Sequence, residues 1–238
     1  MLGALIQPRD FSWAAFGKHP VATDYIRLAA GTGLMEAVGE WMSKGYDQFI
    51  RRSPGVREPH SFRFWLRGAR KGTLLCGLGR DSSDRIGRPF PFFIMGEGGL
   101  KGWEPAWENL PQQLEPAWRR MEAIASGRYD DIPALAASLN QLSVATDARR
   151  PRDAAPPEHA GLPAAYHEEL NCTGGTLIDL GTLQDDPERA VDRCLIVIKA
   201  WLHDVPTAVF IGGPPRRTWL AVMERALNTE DFIRLWST

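Results

Sequence analysis

Three apolar segments of strand length follow one another in the first half of the chain, "SFRFWLR", "GTLLCGLGRD" and "RPFPFFIMG". In the first of them, Phe62, Phe64 and Leu66 alternate with polar residues, which is the period of a half-buried strand. Trp65 interrupts the polar side of this alternation, and the pattern predicts that its ring is exposed or lies at an interface. The intervals between the segments have the length of loops. This region is therefore expected to form a meander of three strands.

The elements on either side place this meander in an α/β or α+β fold. The aromatic run "FSWAAF" predicts a strand before it, and apolar residues at helical spacing from Leu34 to Phe49 predict a helix after that strand. In the second half, helices are predicted around Trp118, in "DDIPALAASLNQL" and in "DDPERAVDRCLIVIKAWLHD", where Asp185 and Asp186 are interpreted as capping residues. The segment "TAVFIGG" predicts a strand, whereas "PRRTWLAVMERAL" and "EDFIRLW" predict terminal helices. Together they predict a mixed β-sheet sandwiched by helices.

One interruption divides the sequence. Residues 146–163 are rich in proline, alanine and charge and have no periodicity, which predicts a linker or a long surface excursion. It separates an N-terminal part, residues 1–145, from a C-terminal part, residues 164–238. We expect the two parts to share one sheet in a single domain.

The overall composition excludes several classes of partner. The 238 residues carry 28 basic and 29 acidic side chains, so no global positive field exists to hold nucleic acid or anionic lipid. Three cysteines without a short spacing exclude a disulfide framework and suit a reducing compartment. No segment approaches the roughly 20 apolar residues that span a bilayer, and the N-terminus lacks a basic region typical of signal peptides. We therefore expect a cytoplasmic protein that does not insert into membranes.

Residues for catalysis or metal binding form no complete set. The five histidines fall into no HxxxH or HExxH pattern, so neither a metal nor a cofactor is expected. The glycine-rich "GLGRDSSDRIG" lacks the Lys-Ser/Thr ending of a phosphate-binding loop. Cys172 with His167 nearby is a conceivable nucleophile and base, for which Gly174 and Gly175 would supply oxyanion donors. The alternative is that Cys172 is a small structural residue, and no catalytic residue is assigned.

The stretch "RDSSDRIGRPFP" admits two interpretations. Arg80, Arg85 and Arg88 alternate with Asp81 and Asp84, so the charges can neutralise one another while the aspartates bond the backbone of a turn. Alternatively, the arginine pair is directed at a phosphate or carboxylate on a partner. The first interpretation describes a structural loop, and the second describes a binding site.

Two stretches resemble the TagF family, also called ImpM, which is associated with type VI secretion. Family members show an aromatic-Gly-Lys-x-Pro start, a "GDF" segment, and a "SxDRxGRxFP" stretch that leads into a strand. In this chain the first stretch contains "FGKHP" at residues 16–20 and "DYIR" at 24–27, and the second stretch contains "SDRIGRPFP" at 83–91. Ala22-Thr23 stands where many members have Arg-Gly, which is a departure at that loop. The resemblance is specific for roughly the first hundred residues.

The resemblance implies a longin- or profilin-like domain and a non-enzymatic accessory protein of a bacterial type VI secretion system. It implies post-translational negative regulation through binding to a forkhead-associated scaffold protein or another secretion component. Combining it with the charges and aromatic residues of the sequence, we expect an interface that contains these residues: Lys18, Asp24, Trp65, Asp84, Arg85 and Arg88. Two alternatives stay open, a phosphoprotein- or anion-reading module and a small Cys-dependent hydrolase.

Overall fold

The computed structural model describes residues 11–53, 55, 57–145, 162–183 and 186–238. Most of the linker predicted for residues 146–163 therefore lies outside the described residues, as does the capping prediction for Asp185. The described part contains one β-sheet of eight strands and six α-helices. Strands from both sides of the predicted linker belong to this one sheet, and the α+β class is confirmed.

The strands are β1 (Ser12–Gly17), β2 (Ile26–Leu28), β3 (Ser61–Arg67), β4 (Thr73–Arg80), β5 (Phe92–Gly99), β6 (Gly175–Asp179), β7 (Ala208–Gly213) and β8 (Trp219–Met223). Their order across the sheet is β2-β1-β5-β4-β3-β7-β8-β6. The predicted meander is confirmed as β3-β4-β5. Every pairing of the described strands is antiparallel, whereas a mixed sheet was expected. β6 and β7 run in the same direction, but β8 lies between them.

The helices are α1 (Gly33–Arg52), α2 (Leu110–Ser126), α3 (Ile132–Leu139), α4 (Ala164–Thr173), α5 (Pro187–Trp201) and α6 (Thr229–Leu235). Side chains of α1 and α6 pack on one face of the sheet, and those of α2 to α5 pack on the other. Each face therefore has its own buried apolar core, and the sheet is sandwiched by helices as predicted. Among the described residues, none of the helices combines the length and the apolar character of a membrane-spanning segment.

Trp65 is buried, so the prediction that it is exposed or interfacial was wrong. Its side chain has no exposed surface, and its ring centroid lies 5.5 Å from that of Trp103 and 6.0 Å from that of Trp107. Alternation along β3 separates two buried faces here, rather than a buried face from a solvated one. Arg63, two positions before Trp65 on the same face, forms ion pairs with Glu115 and Glu122 of α2. Trp65 is therefore not part of a surface.

The segment "PRRTWLAVMERAL" was predicted to be helical, and this prediction was also wrong. Residues Trp219–Met223 form β8, which pairs with β7 on one side and with β6 on the other. Leu220 and Val222 enter one core and Ala221 and Met223 the other, so four consecutive apolar residues are all buried. A continuous apolar run cannot distinguish a doubly covered strand from a buried helix by periodicity alone.

Candidate functional site

The two stretches that carry the family resemblance lie side by side at one end of the sheet. The first follows β1, the second joins β4 to β5, and β1 pairs directly with β5. The backbones of the two stretches approach each other closely at Gly17, which has a φ of +119°. A Cβ atom at this position would lie 2.0 Å from the carbonyl oxygen of Pro91. Only glycine tolerates both the positive φ and this close approach.

The carboxylate of Asp84 lies at the centre of the contact between these stretches. Its Oδ1 accepts hydrogen bonds from the backbone amides of Ile86 (3.1 Å) and Arg88 (2.9 Å). Its Oδ2 accepts from Arg88 Nε at 2.6 Å and lies 3.2 Å from Lys18 Nζ. The Asp84 side chain has no exposed surface, yet both oxygens have partners, which a buried carboxylate requires.

These partners lower the pKa of Asp84. Burial alone would raise this pKa, but the amide and guanidinium of Arg88 and the ammonium of Lys18 lower it to about 2. Hydrogen bonds and positive charges favour the ionised carboxylate over the protonated form. Asp84 is therefore an anion at neutral pH, and it is held entirely within the chain.

Both arginines of this loop reach the backbone of the first stretch. Arg85 N donates to Ala22 O at 2.7 Å, and the Arg85 guanidinium donates to Val21 O. Arg88 Nη2 donates to Thr23 O at 2.5 Å. We call this set of contacts between residues 18–24 and residues 83–89 the clasp. Because the acceptors are backbone carbonyls, the Ala22-Thr23 departure from the family pattern leaves the clasp intact.

The clasp presents a short exposed tip. Gly87 N donates to Asp84 O at 2.9 Å and closes a β-turn in which Gly87 has a φ of +85°. An isolated bridge between Ser83 and Pro89 forms the base of this turn. Ile86 lies at the tip with 66% of its surface exposed, the largest fraction among the large apolar residues of the described chain. Such a side chain on a well-held turn is a candidate contact for a partner.

The structure places the predicted site residues in three different situations. Lys18 and Asp84 are directed inward, with 15% and none of their side chains exposed. Arg85 and Arg88 are exposed, but their donors are committed to the clasp. The Asp24 carboxylate is exposed, 3.7 Å from Arg88 Nη2. The structural interpretation of the loop is therefore supported, and participation of these residues in an interface stays a prediction.

A cleft beside the clasp was missed by sequence reasoning. It has a volume of about 720 Å³ and lies between the first stretch, the end of β4 and the loop after α2. His19, Arg80, Ser82, Ser83 and Tyr129 line it together with Arg128. These residues come from three separate segments, so no local motif marks them. The signal available was His19 within "GKHP", which was assigned no role.

The geometry around Cys172 does not assemble a catalytic site. Cys172 and His167 are five positions apart on α4, which places them about 140° apart around the helix axis. The His167 ring packs on Trp201 with centroids 4.8 Å apart. The amide of Gly174 was considered as an oxyanion donor, but it donates to Leu170 O at 2.8 Å as part of the helix C-cap. Within the described residues, no three His, Cys, Asp or Glu side chains cluster as metal ligands would.

Comparison with known proteins agrees with the sequence resemblance. Residues 14–143, more than half of the chain, match the family model described as the TagF N-terminal domain, type VI secretion system-associated. A similar fold is seen in the 2.05 Å crystal structure of PA0076 from Pseudomonas aeruginosa PAO1, with a TM-score of 0.55 and 15% identity. That likeness covers 94% of this chain and 93% of the other. No curated protein matches the chain.

Proposed function

This chain belongs to the TagF family of type VI secretion-associated proteins, and from that premise we propose that it is a cytoplasmic, non-enzymatic regulator. It would act after translation, as a negative regulator of the secretion apparatus, by binding a forkhead-associated scaffold protein. The observation that carries this proposal is the exposed Ile86 at the tip of a turn whose charges are already satisfied within the chain.

The clasp supports this role because it fixes the turn before a partner arrives. Asp84 and Arg88 hold both ends of the turn, and Arg85 ties it to the neighbouring stretch. A surface that is rigid before binding loses less conformational entropy in the complex. The charged residues would orient the tip rather than supply contact energy, and an apolar side chain that becomes buried would supply the affinity.

Tyr25, directly after residue 24 of the clasp, is a second exposed large apolar residue. Its ring is partly exposed and contacts Phe90, with centroids 5.6 Å apart, and Phe90 in turn contacts Tyr46 of α1. Tyr25 and Phe90 belong to the two stretches that the clasp joins. A partner that contacts both Ile86 and Tyr25 would therefore bind the chain only when the contacts of the clasp are formed.

The experiment measures capture of the forkhead-associated component by purified full-length chain, using Ile86→Glu and the matched variant Ile132→Glu. Ile132 is also an exposed isoleucine, at the first position of α3 and not part of the turn. We expect Ile86→Glu to abolish capture and Ile132→Glu to retain it, with unchanged thermal stability in both. Retention of full affinity by Ile86→Glu would refute this docking surface.

The same purified material separates regulation by binding from an enzymatic role. Cys172 is exposed and Cys76 and Cys194 are buried, so Cys172→Ala removes the one accessible thiol of the described residues. We expect Cys172→Ala to bind the partner as the wild type does. Turnover of a substrate that is lost in Cys172→Ala would instead establish the hydrolase alternative.

A further inference from the structure

We propose that the cleft between His19, Arg80 and Arg128 binds a tetrahedral oxyanion, that is, a phosphate or a phosphoryl group. This site is distinct from the exposed turn at Ile86 and does not depend on the regulatory role proposed above. It is argued from an unpartnered buried imidazole, two unpaired guanidinium groups and the space between them.

The imidazole of His19 lines the cleft and has an unused hydrogen-bond donor. His19 is 1% exposed, and its Nδ1 accepts a hydrogen bond from the amide of Val21 at 3.2 Å. Burial and the charge of Arg80 lower the pKa of His19, so the ring is neutral at pH 7 and its proton resides on Nε2. Nε2 is buried and has no hydrogen-bond partner in the described structure. A buried donor without a partner is energetically costly, and an oxygen atom of a ligand in the adjoining cleft could satisfy it.

Two arginines supply positive charge at the same cleft. Neither the Arg80 nor the Arg128 guanidinium forms a hydrogen bond or ion pair with any described residue, whereas Arg85, Arg88 and Arg63 all do. Arg80 lies at the end of β4 directly opposite Phe92 of β5, whose ring contacts His19 with centroids 5.2 Å apart. Guanidinium groups bind phosphate through paired N–H donors. The positive charge of Arg80, which lowers the pKa of His19, can therefore attract an anion.

The hydroxyl groups around the cleft complete a set of donors. Ser82 and Ser83 line it, as does Tyr129, whose ring lies 5.8 Å from that of His19 between centroids. No hydrogen bond of these three hydroxyl groups is found among the described residues. Serine and tyrosine hydroxyls commonly donate to bound phosphate oxygens.

Two groups at the cleft carry negative charge that would repel an anion, but together they do not outweigh the positive charge of the two arginines. The carboxylate of Asp81 accepts hydrogen bonds from the amide of His60 at 2.9 Å and from Trp236 Nε1 at 2.9 Å, so both its oxygens are already used. The last turn of α2, ending at Ser126, contributes the negative end of a helix dipole. Two full positive charges against one carboxylate still leave the cleft with a net positive charge.

The size of the cleft indicates what carries the anion. A volume of about 720 Å³ is within the range of small-molecule sites, roughly 300–1,000 Å³. A single phosphate ion fills a small part of it. The cleft therefore has room for the group that bears the phosphate, either a phosphorylated side chain or a small phosphorylated molecule.

The test is calorimetric titration of the full-length chain with inorganic phosphate, adenosine monophosphate, and a phosphoserine peptide beside its unphosphorylated twin. We expect the phosphate-bearing probes to bind and the unphosphorylated peptide to show no binding. Preference for the phosphopeptide over adenosine monophosphate identifies a protein source of the phosphate, and the reverse preference identifies a small molecule. Absence of binding by all three phosphate-bearing probes overturns the proposal.

Matched variants locate the binding. Arg80→Gln and Arg128→Gln should each weaken phosphate binding by about tenfold or more, whereas Arg70→Gln, in the turn at the opposite end of the β3-β4 hairpin, should leave it unchanged. His19→Asn keeps an acceptor for the Val21 amide but removes the Nε2 donor, so it should weaken binding without unfolding the chain. Equal affinity in wild type and the Arg80→Gln/Arg128→Gln double variant would also overturn the site.

Discussion

Removal of the Arg88 side chain tests whether the clasp is a stabilising element or only an arrangement of exposed charges. In Arg88→Ala, the Asp84 carboxylate loses the 2.6 Å hydrogen bond from Nε and keeps Lys18 and two backbone amides. The bond from Nη2 to Thr23 O is lost as well. The buried carboxylate thus becomes partly unsatisfied, which is the costly kind of deletion.

The magnitude follows from the exposure of the two bonds. A hydrogen bond to a charged group contributes about 1.5–3 kcal/mol to the free energy of unfolding. The Arg88 side chain is 49% exposed, so solvent screens the pair, and the bond to Thr23 O exchanges largely with water. We therefore expect a loss of about 1.5–2 kcal/mol. For a chain of this size that lowers the Tm by about 3–8 °C.

Two measurements check this expectation. Urea denaturation of Arg88→Ala and the control Arg70→Ala gives the difference in unfolding free energy, and the control should match the wild type. Hydrogen exchange should accelerate at the backbone amides of positions 85 and 88, which in the wild type bond Ala22 O and the Asp84 carboxylate, and stay slow in β4. If Arg88→Ala were as stable as Arg70→Ala and its amides equally protected, the clasp would not be a structural element.

Three other changes have defined outcomes. Because the pKa of Asp84 lies at about 2, below its ordinary 3.8, the stability advantage of the wild type over Asp84→Asn in pH-dependent denaturation should be full above pH 3.8 and disappear as the pH falls through about 2. Trp65→Ala should lower the unfolding free energy by about 3–5 kcal/mol in urea titrations, which an exposed tryptophan would not. Gly45→Ala would place a Cβ 2.4 Å from Phe232 Cβ and should cost about 1–2 kcal/mol by the same assay, whereas Gly33→Ala, with no atom within 4 Å, should be neutral or stabilising.

The elements that sequence predicted correctly are those whose signal is local. The stripe of α1 can be derived from the spacing of its apolar residues, and α3 from the segment "DDIPALAASLNQL", in which the side chain of Asp131 accepts from the Ala134 amide at 2.8 Å. β8 could not, because "WLAVM" is compatible with a helix and only its pairing between β7 and β6 makes it a strand. The three-residue strand β2 and helix α4 were missed for lack of a strong periodic signal.

The candidate site divides in the same way. The clasp was partly predictable, because alternating aspartates and arginines before a glycine indicate a turn held by its own charges. The cleft was not, because His19, Arg80 and Arg128 are brought together only by the pairing of β1 with β5 and the packing of α2. Trp65 was assigned to an interface for a related reason. Alternation along a strand says nothing about whether a second layer of helices covers its other face.

The family-defined segment ends at residue 143, yet β3 completes its hydrogen bonding only with β7, more than sixty residues later. The segment therefore contains five strands in the order β2-β1-β5-β4-β3, and the edge of β3 that pairs with β7 in the folded chain has no partner within it. That edge carries Phe62 and Phe64, which later contact Trp236 and Phe210. Until the remainder of the chain is synthesised, the nascent protein exposes this unpaired strand edge, which is the kind of surface that chaperones bind. A fragment that ends at residue 143 would keep the edge of β3 unpaired, and we expect this fragment to aggregate.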